Sequence, residues 1–288
     1  MAVDVLAIGE LLIDFIAEGP QSDVGHAASF VKNPGGAPAN VAVGVSRLAL
    51  SSAFCGKVGD DPFGRYLAGV LRDEGVNVDG LVFDTHARTT LAFVLLGECG
   101  ERSFSFFRNP GADMMLRADE LNMPLLTGCR VLQHGSVSLS SGPSADATRA
   151  AVRIASGAGA AICFDINLRL ALWNSLDEAR RAIFGSCGQA DLIKASLEEL
   201  MELTGSPNEP EAVIALRKHT KPEALIVVTD GPSGSSAYMG DVVVRTHGFT
   251  VVSVDTTGAG DGFLACLIAC LIGIAEDTPV KDSLSKLS

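Results

Sequence analysis

The sequence predicts an α/β protein with a doubly wound, mainly parallel sheet that carries helices on both faces. Two observations lead to this fold class. Short strand-like runs alternate with helical stretches along the chain, as in successive β–α units. Runs such as AICFDI and ALIVVT are also apolar almost throughout, as expected for parallel strands that are covered on both faces.

The elements can be assigned in order along the chain. The apolar runs predict strands at Val3–Ile8, Ser52–Lys57, Val131–Gly135, Ala161–Asp165, Leu192–Lys194 and Leu225–Thr229. The stretches between them predict helices at Pro38–Leu48, Pro62–Glu74, Pro143–Ser156, Leu176–Ser186, Leu197–Leu203 and Pro210–Lys218, four of them with proline in the first turn. Near the end of the chain, the sequence predicts the end of a buried strand at Val251, Val252 and Val254 and a core helix at Phe263–Ile274. That last helix is too short to span a bilayer. Residues 1–288 are expected to form one domain.

Two segments break the alternation. Residues 11–31 and 81–108 contain strand patterns without helices, for example Thr90–Leu95 and Ser103–Phe106. They predict a small antiparallel sheet made from two separate stretches of chain. In an open α/β sheet, ligands bind at the carboxyl ends of the strands. The small sheet is therefore expected to act as a lid over that edge, or alternatively only to widen the core.

Composition restricts the possible partners. The net charge of -12 and the pI near 4.8 argue against a nucleic-acid binder and against a basic membrane-surface protein. The seven cysteines form no Cys-x-x-Cys pair and no metal-ligand spacing, which favours reduced thiols in the cytoplasm. Cys163, Cys266 and Cys270 lie in apolar runs and are expected to be buried. The chain begins with an apolar run that lacks a basic leader, so no signal peptide is predicted.

The most informative motif is VDTTGAGD at Val254–Asp261, directly before the last helix. Gly258 and Gly260 allow a tight turn. A glycine turn leading into a helix directs N–H groups and the positive end of the helix dipole at one point, which suits an anion. A carboxylate there repels a phosphate unless it serves the chemistry. Asp261 therefore predicts either a base that accepts a proton from a hydroxyl group or a simple helix cap.

Two features predict contacts to a polyol. The turn Asn33–Ala37 contains Gly35 and Gly36, which let the backbone approach a ligand closely. Asn40 follows near the start of a helix, where its amide can donate and accept hydrogen bonds. Asp14 lies inside an apolar strand and needs a partner. That partner is either a hydroxyl group of a ligand or a structural arginine.

Three side chains follow predicted strands at the ligand-binding edge. Arg169 is expected to stabilise phosphoryl charge or to position a substrate, unless it only pairs with Asp165. Lys194 ends another strand, where it can contact nucleotide phosphates. Glu199 opens the next helix, where it either holds the water shell of Mg²⁺ or only favours the helix N-terminus.

Two further motifs are less specific. Thr229 ends a strand and leads into a glycine turn with Gly231 and Gly234, which suits a nucleotide. Arg108 is expected at the tip of the lid, within reach of a substrate on closure, or as a solvated arginine. The sequence contains no Gly-x-x-x-x-Gly-Lys-Ser/Thr loop, which argues against a P-loop NTPase.

Together these motifs resemble the PfkB-type sugar kinases, also called the ribokinase-like family. The N-terminal signature consists of the Gly35–Gly36 turn with Asn40 and GKVGDDPFG at 56–64, and the C-terminal signature is DTTGAGD at 255–261. Within the family the sequence is most similar to the fructokinases. That similarity rests on PGGAPANVA at 34–42, FRNP at 107–110 with Ala112-Asp113, and DINLR at 165–169 with Leu172-Trp173. It runs from about residue 3 to residue 273.

The resemblance implies a ribokinase-like fold and a role for each motif. Asp261 is then the base that activates the sugar hydroxyl group, and the anion hole for the γ-phosphate is formed by the N–H groups of Gly258, Ala259 and Gly260. The residues implied around the sugar are Asp14, Gly35, Gly36, Asn40, Arg108 and Arg169. Those implied in ATP contacts are Lys194, Thr229, Gly231 and Gly234.

The sequence differs from the family pattern at two points. Glu199 matches the acidic end of an Asn-x-x-Glu metal motif, but Ser196 stands where the family has Asn. The family also continues for several elements after the helix that carries Asp261, and these help to wall the adenine pocket. The chain is therefore expected to be truncated or to have an incomplete adenine site.

The implied activity is ATP- and Mg²⁺-dependent transfer of a phosphoryl group to D-fructose, giving fructose 6-phosphate and ADP. The alternatives are a kinase for another sugar, for a sugar acid such as 2-keto-3-deoxygluconate or for a nucleoside, and a non-catalytic sugar-binding regulatory paralogue. K⁺ activates parts of the family. An open, apolar lid sheet suits a homodimer joined lid to lid, with a monomer as the alternative.

Overall fold

Strands and helices alternate through most of the chain. The computed structural model describes residues 3–19, 23–96, 102–140, 142–251, 256–276 and 278–284. Its strands are β1 (Val3–Ile8), β2 (Leu12–Ala17), β3 (Phe30–Gly35), β4 (Ser52–Gly59), β5 (Asn77–Asp84), β6 (Leu91–Leu96), β7 (Arg102–Phe107), β8 (Cys129–Gly135), β9 (Ala161–Asp165), β10 (Leu192–Ser196), β11 (Leu225–Thr229), β12 (Ser235–Met239) and β13 (Val242–Thr246). Its α-helices are α1 (Ala37–Arg47), α2 (Pro62–Asp73), α3 (Met123–Gly128), α4 (Gly142–Gly157), α5 (Leu176–Cys187), α6 (Leu197–Thr204), α7 (Glu209–Arg217), α8 (Ala259–Ala275) and α9 (Val280–Leu284).

A nine-stranded sheet forms the centre of the protein, in the order β13-β12-β11-β10-β9-β8-β1-β4-β5. The strands from β11 to β5 are parallel, and β12 and β13 continue the sheet in antiparallel orientation. Successive residues of β1 face opposite layers: Leu6 belongs to the same hydrophobic cluster as residues of α4 and α5, and Val5 to that of α1 and α8. This confirms the doubly wound, mainly parallel sheet with helices on both faces. Every predicted strand from Val3–Ile8 to Leu225–Thr229 is present, with boundaries within two residues.

The edge hairpin of β12 and β13 was not among the predicted strands. Gly240 turns the chain between the two strands with φ of 53°. All of β13 is exposed, including Val242, Val243 and Val244. A run of three exposed valines has neither the alternation of a half-buried strand nor the burial of a central one, so its pattern does not indicate its position at the edge.

A second sheet of four strands has the order β3-β2-β6-β7. It is built from two separate stretches of chain, as predicted, but it is not purely antiparallel, because β2 and β6 pair in parallel at its centre. Two predicted boundaries of this sheet were also wrong. Residues 81–84 belong to β5 in the large sheet, where Leu81 pairs with Gly56, and β3 continues past residue 31 to Gly35.

The last long helix is only partly buried. Leu264 and Ile268 of α8 lie in the core, but Cys266 and Cys270 are exposed, so the prediction that these two cysteines are buried was wrong. The expected strand end before this helix is also not borne out at Val251, which is 74% exposed and lies outside any strand. Val252 and Val254 lie outside the described residues. Within the described part of the chain, no helix has both the length and the apolar character needed to cross a membrane.

Candidate active site

A cleft of about 340 Å³ lies at the carboxyl ends of the central strands, under the small sheet. Ten of the predicted site residues line it: Asp14, Gly36, Asn40, Arg169, Lys194, Glu199, Thr229, Gly258, Gly260 and Asp261. These residues come from both ends of the chain and from both sheets. The cleft therefore joins the two signatures that the sequence analysis identified.

The carboxylate of Asp261 lies in the first turn of α8 and is held by Asn40. The Asn40 side-chain nitrogen donates to Asp261 Oδ2 at 2.8 Å, across 221 positions of sequence. Burial raises the pKa of Asp261, while the hydrogen bond from Asn40 and the charges of Lys194 and Arg169 lower it. The outcome is a carboxyl group that is more basic than a surface aspartate, as a proton acceptor requires.

The turn before Asp261 provides the predicted anion site in part. Gly258 has φ of 74° and caps α8, so the amides of the first helical turn have no partner within the helix. The Ala259 N–H group donates to the Thr256 carbonyl oxygen at 3.2 Å. The predicted role of Ala259 in an anion hole is therefore not seen in this conformation, because the turn is closed by a hydrogen bond of its own. Residues 252–255, which open the motif, lie outside the described residues.

The Lys194 ammonium group lies directly beneath this turn. A Cβ atom on Gly260 would be 3.0 Å from Lys194 Nζ, and Nζ lies 3.1 Å from Asp165 Oδ1. Burial disfavours the charged lysine, but the carboxylates of Asp165 and Glu199 outweigh it and raise the pKa of Lys194. Lys194 therefore supplies a fixed positive charge where the helix N-terminus also favours an anion.

The opposite side of the cleft is formed by Asp14 and Gly36, whereas Gly35 lines a neighbouring cavity of about 430 Å³ that Asp14 and Asn40 also line. A Cβ atom on Gly35 would come within 2.2 Å of Asp14 Oδ2. Gly36 has φ of 114°, and its Cβ would be 2.3 Å from the Glu10 carbonyl oxygen. Only glycine fits the chain this close to β2. Burial raises the pKa of Asp14 to about 6, assisted by Asp261 and opposed by Arg169.

Arg169 and Glu199 form a charged pair on the floor of the cleft. Arg169 Nη1 lies 3.4 Å from Glu199 Oε1 and 3.0 Å from the Leu168 carbonyl oxygen. The other Glu199 oxygen accepts the Ser196 N–H group at 3.0 Å in a capping box at the start of α6. Arg169 was expected to pair with Asp165 if it had no role in the site, but the partner of Asp165 is Lys194.

The predicted nucleotide turn lies at one end of the cleft. Thr229 lines the cleft, whereas Gly231 and Gly234 are not among its lining residues. Gly234, with φ of 110°, lines a separate cavity of about 180 Å³ beside β12. The structure thus brings only Thr229 of this group together with the catalytic candidates.

The alternative in which Arg108 is a solvated arginine was wrong, and Arg108 is not among the residues that line the cleft. Its side chain is only 4% exposed and is paired with Asp113 at 2.7 Å. It also donates to Ser140 Oγ at 3.2 Å and to the Val137 carbonyl oxygen at 3.4 Å. Arg108 therefore attaches the end of β7 to the segment after β8 that contains Val137, which lines the cleft.

Three acidic or amide residues of the cleft region were not among the predicted site residues. Asp165 is buried against Lys194, Asn167 lines the cleft, and Glu10 lines it from the end of β1. Glu10 and Asn167 each come shortly after the carboxyl end of a parallel strand, and Asp165 is the last residue of one. The argument that identified Lys194 applies equally to them, so the signal was present in the sequence.

Transfer of a phosphoryl group to a hydroxyl group requires a base beside an anion site, and the cleft places a carboxylate beside such a site. The chain is a phosphotransferase of this class. Fructokinase-1 of Zea mays is 48% identical over 269 residues, 93% of this chain and 83% of that protein. Among solved structures, fructokinase from Vibrio cholerae O395 with fructose, ADP and calcium bound has a TM-score of 0.85 at 36% identity, covering 98% of this chain and 89% of that chain. Fructokinase from Xylella fastidiosa with bound ATP has a TM-score of 0.83 at 32% identity, covering 99% and 89%.

The particular family follows from the match of residues 3–285 to the model of the pfkB family carbohydrate kinases. The chain belongs to that family. Its fold, with a mainly parallel nine-stranded sheet and a separate small sheet, is the ribokinase-like fold predicted from the sequence.

Proposed function

We propose that the protein is a fructokinase that converts D-fructose and ATP to fructose 6-phosphate and ADP. The observation that carries this proposal is the 2.8 Å hydrogen bond between Asn40 and Asp261, which joins the glycine turn of the sugar side to the anion-binding turn. The fructokinases among the relatives support the choice of sugar, since their sequences are 42–48% identical to this chain over more than nine-tenths of its length.

In the proposed reaction the oxygen of the C6 hydroxyl group attacks the γ-phosphorus of ATP. The bond from that phosphorus to the β–γ bridging oxygen breaks, and the hydroxyl proton passes to Asp261. The first turn of α8, Lys194 and Arg169 stabilise the charge on the transferred group. Positioning and charge stabilisation supply most of the rate enhancement, because the protein forms no covalent bond to the substrate.

We assign the sugar to the side of the cleft that holds Asp14, Gly36 and Asn40, with Gly35 directly against Asp14. Arg108 acts there indirectly, by holding the end of β7 against Val137, which lines the cleft. We assign the ATP phosphates to Lys194 and Thr229, and the remainder of the nucleotide to the turn that contains Gly231 and Gly234. The small sheet acts as a lid that excludes water from the reaction.

Mg²⁺ enters this proposal together with ATP. In the described part of the chain, no group of three or more histidine, cysteine, aspartate or glutamate side chains is placed to hold a metal ion. Both oxygens of Glu199 are already engaged, which fits a contact through the water shell that Mg²⁺ retains. Activation by K⁺, a lid-to-lid homodimer and the cytoplasmic location stay predictions.

The test is release of ADP in the presence of fructose, ATP and Mg²⁺. Other sugars, 2-keto-3-deoxygluconate and nucleosides are assayed separately in place of fructose. We expect turnover to depend on fructose and to fall by orders of magnitude in Asp261→Asn, with little change in the Kd for fructose. Preference for another substrate would replace fructose in the proposal. Fructose binding without any turnover would indicate the regulatory paralogue.

A further inference from the structure

Glu10 is a buried acid at the junction of the two sheets. It lies two positions after Ile8, the last residue of β1 in the large sheet, and two positions before Leu12, the first residue of β2 in the small sheet. It is 4% exposed and lines the cleft together with Asp14 and Gly36. The phosphoryl transfer proposed above, with roles for Asp261, Lys194 and Arg169, makes no use of it.

Among the described residues, only one of the two carboxyl oxygens of Glu10 has a hydrogen-bond partner. Oε1 accepts the Ala37 N–H group at 3.3 Å, at the first residue of α1. Oε2 is buried without a hydrogen-bond partner among the described residues. A buried polar atom without a partner costs roughly 1–3 kcal/mol, and a charged one costs more, so such an atom in the wall of a cleft requires an explanation.

Neighbouring charges do not provide that explanation. Arg108 and Asp113 are the charged side chains that act on Glu10, and they are paired with each other at 2.7 Å. The Arg108 guanidinium is further occupied by Ser140 and by the Val137 carbonyl oxygen. Burial raises the pKa of Glu10 to about 7, against the effects of its own N–H group, of Arg108 and of the Ala37 N–H group. Near neutral pH the group therefore offers both a donor and an acceptor.

We infer that Glu10 is a further sugar-binding residue, in which Oε1 holds the start of α1 while Oε2 forms a hydrogen bond with one hydroxyl group of the bound sugar. A hydroxyl group is the natural partner, because it donates to a carboxylate and accepts from a carboxylic acid. The inference rests on the proposed function of the cleft as a sugar site. It adds a contact from the junction of the two sheets to those from Asp14 and Asn40.

The experiment compares Glu10→Leu and Glu10→Gln with the wild type on fructose and on deoxyfructoses that each lack one hydroxyl group. We expect Glu10→Leu to raise the KM for fructose at least tenfold, with a smaller effect on kcat. That penalty should disappear for the one analogue that lacks the contacted hydroxyl group. Glu10→Gln, which keeps the shape and the contact to Ala37, should change KM less, with any change confined to sugars that carry the same hydroxyl group.

Asp61→Asn is the matched control. Asp61 is also a buried acid near the carboxyl end of a parallel strand, and it caps α2 by accepting the Gly64 N–H group at 2.9 Å, but it does not line the cleft. Loss of a cap alone should change the kinetic constants by one common factor for every sugar. The same uniform factor in the Glu10 variants would overturn the inference and leave Glu10 as a helix cap only.

The two proposals fail in different ways. A wild type that does not phosphorylate fructose would remove the proposed function, and the inference with it. A wild type active on fructose, whose Glu10 variants lose the same factor on every sugar, would remove the inference alone. If Glu10→Leu does not fold, as judged by its thermal unfolding, the Glu10→Gln comparison across the analogues decides the question.

Discussion

At the scale of single residues, the hydrogen bond between Asn40 and Asp261 controls how basic the proposed catalytic carboxylate is. The bond stabilises the charged form and so lowers the pKa of Asp261, in opposition to burial. Asn40 therefore offsets part of the effect that burial has on the pKa of Asp261. The carboxylate must stay ionised at the working pH and must still accept a proton during the reaction.

Asn40→Ala should lower kcat/KM for fructose and move its acid limb to higher pH. Loss of a hydrogen bond to a charged group costs about 1.5–3 kcal/mol, which corresponds to roughly a 10- to 100-fold loss of rate if the bond persists in the transition state. The acid limb moves up because the variant lacks a contact that lowers the pKa of Asp261. A pH–rate profile checks both effects.

Asn174→Ala provides the control for this variant. Asn174 also donates to a carboxylate at 2.8 Å, that of Glu178, but the pair lies outside the cleft. Its removal should leave kcat/KM and the acid limb in place. If the acid limb of Asn40→Ala is not shifted, the group that titrates in that limb is not Asp261.

Asp14→Asn should stabilise the protein at pH 7.5 in the absence of ligand. The pKa of Asp14 is raised in the folded state to about 6, so folding favours its protonated form. The contribution of Asp14 to stability is therefore present below about pH 4 and is lost as the pH rises through 6. The variant should gain roughly 2 kcal/mol in free energy of unfolding at pH 7.5 and little at pH 4, measured by denaturant titration.

Asp119→Asn is the control, because the pKa of this exposed acid is lowered in the folded state and not raised. The hydrogen bond from Arg117 lowers the pKa of Asp119, so removing this charge should not stabilise the protein at pH 7.5. Equal stabilisation of Asp14→Asn at both pH values would show that the effect does not come from the titration of Asp14. Weaker sugar binding by the same variant would show that the destabilising charge serves function.

The two positions Arg108 and Asp261 show how far sequence predicts single residues. The position of Asp261 follows from local rules, because a glycine turn before a helix fixes where the third residue of that helix points. The position of Arg108 depends on Asp113, whose carboxylate draws the guanidinium into the interior. That pairing is a tertiary contact, and no turn or period in the sequence encodes it.

At the scale of elements, the turn between β3 and α1 fixes the sugar side of the cleft. Gly36→Ala should destabilise the protein and raise the KM for fructose strongly. The new Cβ would lie 2.3 Å from the Glu10 carbonyl oxygen, in a backbone conformation with φ of 114° that side chains rarely adopt. Thermal unfolding and steady-state kinetics measure the two effects.

Gly159→Ala is the control that separates backbone strain from the steric clash of the new Cβ atom. Gly159 has φ of 100°, but no atom lies within 4 Å of the position that a Cβ would take there, and it is remote from the cleft. The substitution should cost about 1–3 kcal/mol from backbone strain alone and leave KM unchanged. Equal effects of the two substitutions on stability and on KM would argue against a role for the close approach of Gly36.

The elements also differ in how well the sequence predicts them. Strands of the parallel core are apolar throughout and lie between helices, so their positions follow from the pattern. Strand β5 does not follow from it, because Leu81–Asp84 has the same appearance as the strands of the small sheet. Which sheet a strand joins is decided by pairing, here of Leu81 with Gly56, and not by its composition.

At the scale of the whole molecule, the cleft is assembled from two sheets that ligand binding should hold together. Asp14 lies on the small sheet, and Asn40 and Asp261 lie on α1 and α8, which pack on the large sheet. Fructose should therefore slow amide hydrogen exchange in β2 and β6. The exposed edge strand β13 serves as an internal control, because it lies outside the cleft and should be unaffected. Equal protection of β13 would argue against a lid that closes on the sugar.

The division into two sheets was predictable, but the way they join was not. The absence of helices from two segments indicated a separate sheet. Its central parallel pairing, Asp14 with Ala92, joins residues that lie far apart in the sequence. Such pairings depend on the finished large sheet, which brings both segments to the same edge.

In the proposed function, the contact between α1 and α8 determines when during biosynthesis the catalytic site is complete. The two helices approach so closely that a Cβ on Gly44 would be 2.6 Å from the Ala265 side chain. Helix α1 leaves the ribosome early, and α8 follows only after all the strands of the large sheet. A nascent chain that lacks α8 has the glycine turn and Asn40 but not the proposed base. If Asp261 is the base, consumption of ATP begins only when the late helix docks on the early one.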